Sequence, residues 1–346
     1  MLYYQDAEIS KVVVHEVGNR SLEDGVQLSD ELAHTDASSF DVLKEYFFSS
    51  FDANQQYHLH HEGSIDLNEV YTFAKAVFND PETFLEQSKH LANTLYKHSE
   101  HPNIKLGEFC VALIDRVQLD GVEGRALGLF KSENKAGFLE MHKANKHFEI
   151  EGKRGIHAGK LDKGCLVFED GEEEGYTVLV VDQTNRGVEA RYWSELFLQL
   201  RHKRDTYFNT QSLLSVCKDF VQEALPEEYE VEKADQIDLL NKSIGYFKDN
   251  ERFVQEEFEG AVLQDPEVIQ SFNKFTQTYA EENAFEMPTS FEISKQAVNK
   301  KSRVFKSVLK LDKNFHIYIH GDRSKIERGV DDDGRKYYKV YYEEEQ

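Results

Sequence analysis

Three short stretches carry residue types that could do chemistry. Tyr57-His58-Leu59-His60-His61-Glu62 puts His58 and His60 on one face of an extended segment. Two imidazoles at that spacing begin a zinc site, which still needs a third and a fourth ligand. Against 14 histidines in the chain, a chance cluster in a polar loop is the competing reading. Glu151-Gly152-Lys153 fits the acid-x-Lys element of a metal-dependent nuclease, where carboxylates hold Mg²⁺ and the lysine orients water. Asp115 or Asp120 would be the earlier acid, although so short an element recurs by composition alone. Asp331-Asp332-Asp333-Gly334 gathers carboxylates but lacks the alternating ligands and distal glutamate of an EF-hand loop, so it reads as a hairpin turn. The sequence contains no GxxxxGK[ST], GxSxG, HExxH or GxGxxG. No catalytic group, metal or cofactor is therefore expected.

Cations are the better lead. The chain has 41 basic and 64 acidic residues, a net charge of −23. That total argues against a general coating of nucleic acid, but field depends on local placement. Residues 219–292 hold 19 acids against 5 bases, residues 293–328 hold 3 acids against 10 bases, and residues 125–163 hold 9 bases against 5 acids. In the first basic island, Lys153, Arg154, Lys160 and Lys163 surround Gly155 and Gly159, a loop in which amides and cations could hold a phosphate. A solvated turn into a hairpin is the equal alternative. In the second, Lys300, Lys301, Arg303, Lys306 and Lys310 fall just before and within an alternating strand. Burial of Val304, Val308 and Phe305 would aim several of them at one outer face. Phe315, Tyr318, Tyr337, Tyr338, Tyr341 and Tyr342 follow, and either stack on bases or, as their alternation favours, pack in the core and across strands.

Elements must position these groups. Hydrophobic residues make up 40% of the 346, enough for a real core. No window approaches the ~20 apolar residues of a membrane span, and MLYYQDAEISK lacks the pattern of a secretory signal. Cys110, Cys165 and Cys217 lie far apart, which excludes a disulfide framework or a cysteine zinc site. SKVVVHEVGNR reads as a strand and a turn. Helices are expected from Ser38, over DLNEVYTFAKAVFN with Asp66 as N-cap, and from Pro81 to before His101-Pro102. Apolar runs at 108–117, 125–133, 146–151, 165–170 and 176–182 predict an antiparallel meander. Helical spacing returns in ARYWSELFLQLRHKR and in NTQSLLSVCKDFVQEAL, which should stop at Pro226, and the acidic stretch 232–284 holds two or three helices. Residues 304–320 alternate as a hairpin around Asp312-Lys313-Asn314, and 336–345 form a last strand. The class is α+β: an antiparallel sheet with packed helices (1–190), a helical acidic segment (191–290) and a small basic β-rich C-terminal region (291–346).

GEFCVALIDRV, ALGLFKSENKAGFLEM, GIHAGKLDKGCLVF, YTVLVVD and FKSVLKLDKNFHIYIHG, with VVVHEVGN and NEVYTFAKAVF, resemble the bacterial nucleoid-associated protein family (NdpA-like). The resemblance spans most of the chain, is most specific over 104–182 and 300–342, and is weakest over 219–292. It implies a cytoplasmic protein of the nucleoid, concerned with chromosome organisation, that binds DNA directly or through partners, with no agreed catalytic motif. The quoted strings contain Lys131, Lys135, Lys160, Lys163, Lys306 and Lys310. The leading expectation is non-enzymatic, sequence-tolerant contact with double-stranded DNA through phosphates, made by residues 300–310 and 131–163. Two alternatives stand beside it: an acidic adaptor that recruits a DNA-processing protein, and a Mg²⁺-dependent nuclease, conceivably in phage defence. No membrane is involved, and a homodimer would double the basic patches and ease the charge objection.

Overall fold

The computed structural model describes residues 1–184, 191–282, 287–302, 305, 308–319 and 323–344. The chain divides into two compact units, Met1–Lys203 and Arg204–Gln346. The first contains β1 (Leu2–Tyr3), β2 (Glu8–Val17), β3 (Val26–Gln27), α1 (Ala37–Phe48), β4 (Tyr57–Leu59), α2 (Glu69–Asn79), α3 (Phe84–His98), β5 (Gly107–Leu119), β6 (Val122–Ser132), β7 (Ala136–Ala144), β8 (His147–Gly155), β9 (Lys163–Phe168), β10 (Thr177–Asp182) and β11 (Leu200–His202). The second contains α4 (Thr206–Asp219), α5 (Leu225–Glu228), α6 (Lys233–Asp249), β12 (Arg252–Val254), α7 (Gln255–Phe258), α8 (Pro266–Glu282), β13 (Ser290–Glu292), α9 (Lys295–Ser302), β14 (Val308–Leu311), β15 (Phe315–Tyr318), β16 (Ile326–Val330) and β17 (Lys336–Val340). The architecture is the α+β expected from the alternation of periods.

In the first unit an antiparallel sheet runs in the order β11-β4-β10-β9-β6-β5-β2-β3, with β1 added to β5. Its central strands are apolar on both faces, as a sheet buried on both sides requires. Phe109, Val111 and Leu113 join the core under α2 and α3, while Cys110, Ala112 and Ile114 join the core under α1. The helices begin where side-chain oxygens satisfy free backbone amides. The Asp36 carboxylate accepts from Ser39 N at 2.8 Å. For α2 the cap is Asn68, accepting from Tyr71 N at 2.9 Å, and not the expected Asp66, which lies in the 3₁₀ turn before it. Gly175 has φ +101°, and a Cβ there would sit 2.0 Å from the Leu59 carbonyl, so only glycine fits beside β4.

β7 and β8 leave the sheet between β6 and β9 as a separate two-stranded ribbon, turning at Asn145-Lys146 with Asn145 at φ +44°. β7 has no counterpart in the sequence reading. Both of its faces are exposed, and Phe138-Leu139 interrupts the alternation of its side chains.

The second unit packs α4, α6 and α8 with Phe253, Phe258 and Phe291 around one core, to which Val298 and Phe305 also contribute. Residues on both sides of 290 thus share this core, where the sequence suggested separate segments. The helical path does not stop at Pro226. A wide turn at Phe220–Ala224 precedes it, and Pro226 falls in the first turn of α5, where its missing N–H is not needed. A smaller cluster seats the C-terminal hairpins β14–β15 and β16–β17 on α6, through Ala234, Ile237, Leu309 and Ile326. Arg323 fastens it, donating to Asp235 Oδ1 at 2.7 Å and Glu232 Oε2 at 2.8 Å.

Candidate nucleic-acid interface

The cations of the first island do not form one loop. Lys131 and Lys163 face each other across β6 and β9, both 0% exposed. Lys131 Nζ donates to the Lys105 carbonyl at 2.9 Å and lies 3.4 Å from Glu133. Lys163 Nζ donates to Asp182 Oδ1 at 2.7 Å and to Thr184 Oγ1 at 2.5 Å. The Tyr192 ring lies 6.0 Å from the Lys131 ammonium and 5.2 Å from that of Lys163, and its hydroxyl donates to Glu133 at 2.6 Å. Burial lowers the Lys131 pKa, and burial together with the Glu133 charge raises that of Tyr192 well above its ordinary value. These two lysines are internal ion-pair partners, and a phosphate cannot reach either one in this fold. That corrects their assignment as DNA contacts.

Lys153 and Arg154 are successive residues of β8 and so project to opposite faces of the ribbon. Lys153 is held by Glu140 and lies 3.6 Å from Glu151. Lys135 is held by Glu108, which raises its pKa. Arg154 and Lys160 are exposed and make no ion pair with a described residue; Lys143 and Lys146 of the same ribbon share that property. Neither Gly155 nor Gly159 has a positive φ, so of the two readings of this loop the phosphate nest is not formed. At Gly155 the space a Cβ would take lies 3.1 Å from the Phe138 ring.

The metal readings separate as well. The ribbon root leaves β6 at Ser132, opposite Glu108, whereas Asp115 and Asp120 lie toward the other end of β5. Asp120 is occupied there by the N-terminal ammonium and by Gln56 Nε2 at 2.6 Å. Glu151 instead meets Glu140 and His142, and Lys153 pairs with both carboxylates of that cluster. His58 Nδ1 donates to the Tyr176 carbonyl at 2.9 Å, and no third ligand gathers beside His58 and His60 among the described residues. Asp331–Gly334 is the hairpin turn expected, with Gly334 at φ +81° and Arg335 bound to Asp331 at 2.9 Å.

In the second unit Lys300 and Lys301 sit at the end of α9, a helix the polar sequence KQAVNKKS did not reveal. Lys300 is exposed. Lys301 is half-buried, donates to Ser215 Oγ at 3.0 Å, and has its pKa lowered by burial. Arg303, Val304 and Lys306 lie outside the described residues. Phe305 is buried, as expected, but β14 turns Leu309 inward and leaves Val308 on the outward side with Lys310. Lys310 pairs with His316, and Val308 with Tyr318, so Lys310, His316 and Tyr318 share the face turned away from α6. On β16–β17, Tyr337 and Lys339 project together, and the Lys339 ammonium stands 4.8 Å from the Tyr341 ring.

The aromatics are more exposed than alternation suggested. Phe315, Tyr318, Tyr337, Tyr341 and Tyr342 are all exposed, while Tyr338 packs on the α6 cluster. Exposed Lys310, Lys313, Arg328 and Lys336 stand among them without an ion pair to any described residue. Lys313, Arg328, Lys336 and Lys339 were not singled out from the sequence, although their spacing between aromatics was the available signal.

The family model of the nucleoid-associated protein YejK matches residues 13–344, nearly the whole chain. The chain belongs to that family. It is thus a nucleoid-associated protein, in agreement with the resemblance carried by the strings of β5, β6, β9 and β10. No curated protein matches the chain. No described helix is long and apolar enough to cross a membrane.

Proposed function

We propose that this family member binds DNA without cutting it, through phosphate contacts made by the outward faces of its C-terminal hairpins. The observation that carries the reading is the interleaving there of exposed cations that make no ion pair with a described residue (Lys310, Lys313, Arg328, Lys336) with exposed rings. Cations that neutralise phosphates release counterions, and aromatic faces accept any base, so the contact tolerates sequence. A confined patch also reconciles DNA contact with a net charge of −23. Lys300 of α9, and Arg154, Lys160, Lys143 and Lys146 of the first unit, add exposed cations to the same task. Separation of Glu151 from Asp115 and Asp120 supports the non-enzymatic reading.

The test is anisotropy of a labelled duplex across a salt series, with and without Mg²⁺, followed by a denaturing gel. Binding should fall steeply with salt and leave the DNA intact. Changing Lys310, Lys313 and Lys336 together to alanine should reduce the slope of log K against log salt by about 3 and weaken binding roughly tenfold or more on every sequence. An unchanged slope would remove these hairpins from the interface, and DNA shortened only with Mg²⁺ would restore the nuclease.

A second reading is recruitment of a basic DNA-processing protein. It is favoured by Glu256, Glu257, Asp265 and Glu267, which are exposed and make no ion pair with a described residue. It requires a partner that stays bound after nuclease treatment; release of the partner by nuclease would count against it.

A further inference from the structure

The outward face of the β16–β17 hairpin presents two tyrosine rings, each braced from behind. Tyr338 turns inward to pack with Ile326 on α6, so Tyr337 and Lys339 project the other way. Tyr341 follows on that same face. Its N–H donates to the Lys325 carbonyl at 2.8 Å, which extends the pairing one residue past β17, and its hydroxyl donates to Glu327 Oε2 at 2.9 Å. The Tyr337 ring lies across the hairpin, its outer end filling the space that a Cβ at Gly329 would take. Lys339 sets its ammonium 4.8 Å from the centre of the Tyr341 ring. Each ring is thus backed from within the hairpin, and the two residues remain 47% and 42% exposed. The core does not need them, because the opposite face of the hairpin makes the contact with α6.

Flat rings held in place, with a cation between them, form a platform on which bases can stack. Spacing and access decide which bases. Tyr337 and Tyr341 lie four residues apart, about 13 Å along an extended chain. Inside a duplex each base already has a neighbour on both faces, about 3.4 Å away, and has no face left for a ring. An unpaired base does, and a single strand can splay its bases apart to meet two separated rings. Lys339 stands where the phosphates between two such bases would pass.

We infer that the Tyr337–Lys339–Tyr341 face of this hairpin binds single-stranded DNA, an unpaired base stacked on each ring and a phosphate on Lys339. The inference rests on the DNA contact proposed above and adds a strand preference to it. Duplex phosphates engage the cations alone, whereas a single strand engages the rings as well.

Anisotropy of the full chain at fixed salt, with three labelled probes of equal length, tests this: an oligothymidylate, an abasic single strand and a duplex. The oligothymidylate should bind about thirtyfold or more tighter than the abasic strand, which keeps the phosphates and lacks the bases. Because this comparison uses the unaltered protein, it does not depend on how a variant folds. Tyr337→Ala combined with Tyr341→Ala should abolish the difference and leave duplex affinity unchanged, while Tyr337→Phe combined with Tyr341→Phe, which keeps both rings, should preserve it. Equal affinity for the two single strands, a difference that survives the alanine pair, or duplex affinity lost with the rings would each overturn the inference. Duplex binding that still falls with salt would then leave the phosphate reading standing, whereas no binding to any probe would sink both. Tighter binding to an RNA of the same length than to the oligothymidylate would overturn the inference by assigning the platform to RNA.

Discussion

Asp182→Ala should cost the first unit about 3–5 kcal/mol, because it leaves the Lys163 ammonium charged, fully buried and without its carboxylate. The remaining hydroxyl of Thr184 cannot replace a counter-charge at 2.7 Å. The second change, Lys163→Met in the Asp182→Leu background, removes both charges and should recover most of the loss, since an apolar pair of similar volume avoids desolvation altogether. The measurement is urea unfolding followed by tryptophan fluorescence. The chain has one tryptophan, Trp193, buried in the first unit with its indole N–H on the Gly164 carbonyl, so the signal reports that unit alone. A loss below about 1 kcal/mol for Asp182→Ala would show that water reaches the ammonium and that Lys163 belongs with the surface cations after all. If Lys163 is internal, Lys163→Met on its own should leave the salt slope of DNA binding unchanged.

Acid should destabilise the same unit through His15. Its ring is buried, accepts from Ser29 N at Nδ1 (3.1 Å) and donates from Nε2 to Ser88 Oγ at 3.0 Å, so both nitrogens are committed to the neutral form. Burial, aided by the Lys89 charge, lowers its pKa to about 4. In the unfolded chain the ring takes up its proton near pH 6.5. Between those two values the unfolded state binds the extra proton, so stability falls as pH drops from about 6.5 to about 4 and this contribution levels off below. The span sets a loss of up to about 3 kcal/mol. Thermal melts at a series of pH values, read by Trp193, should show a slope in this window that His15→Gln flattens. An equal slope in the variant would place the acid sensitivity in carboxylates instead.

The strands of the main sheet were legible because their residues are apolar without interruption and are bounded by glycine and aspartate, as over 165–182. β7 was not, because Phe138-Leu139 interrupts its alternation and no buried face marks it out, whereas its equally exposed partner β8 was legible over 146–151. α9 was hidden by its own polarity and by Arg and Lys types that are equally at home before a strand. The cap of α2 was misplaced by two residues because Asp66 and Asn68 are both good caps, and only the 3₁₀ turn between them decides. Of the candidate site, the sequence showed basic islands and not which of their residues reach the surface. Lysines end apolar runs at both Lys131 and Lys163, but their facing each other across β6 and β9 is a matter of register that spacing does not reveal. The exposure of Tyr337, Tyr341 and Tyr342 was hidden for the opposite reason: alternating aromatics imply a buried face, and β16–β17 is too short to bury more than Ile326 and Tyr338.

The two buried lysines also divide the amines of this protein into two chemical populations. Acylating reagents need an accessible amine, which Lys310, Lys313 and Lys336 expose to solvent and Lys131 and Lys163 do not. Acetylation would therefore strip the hairpins of their charge one lysine at a time while the interior pairs that hold β6, β9 and β10 together stay untouched. The DNA contact proposed for the hairpins would thus be turned down by chemistry at the surface without loosening the fold beneath it.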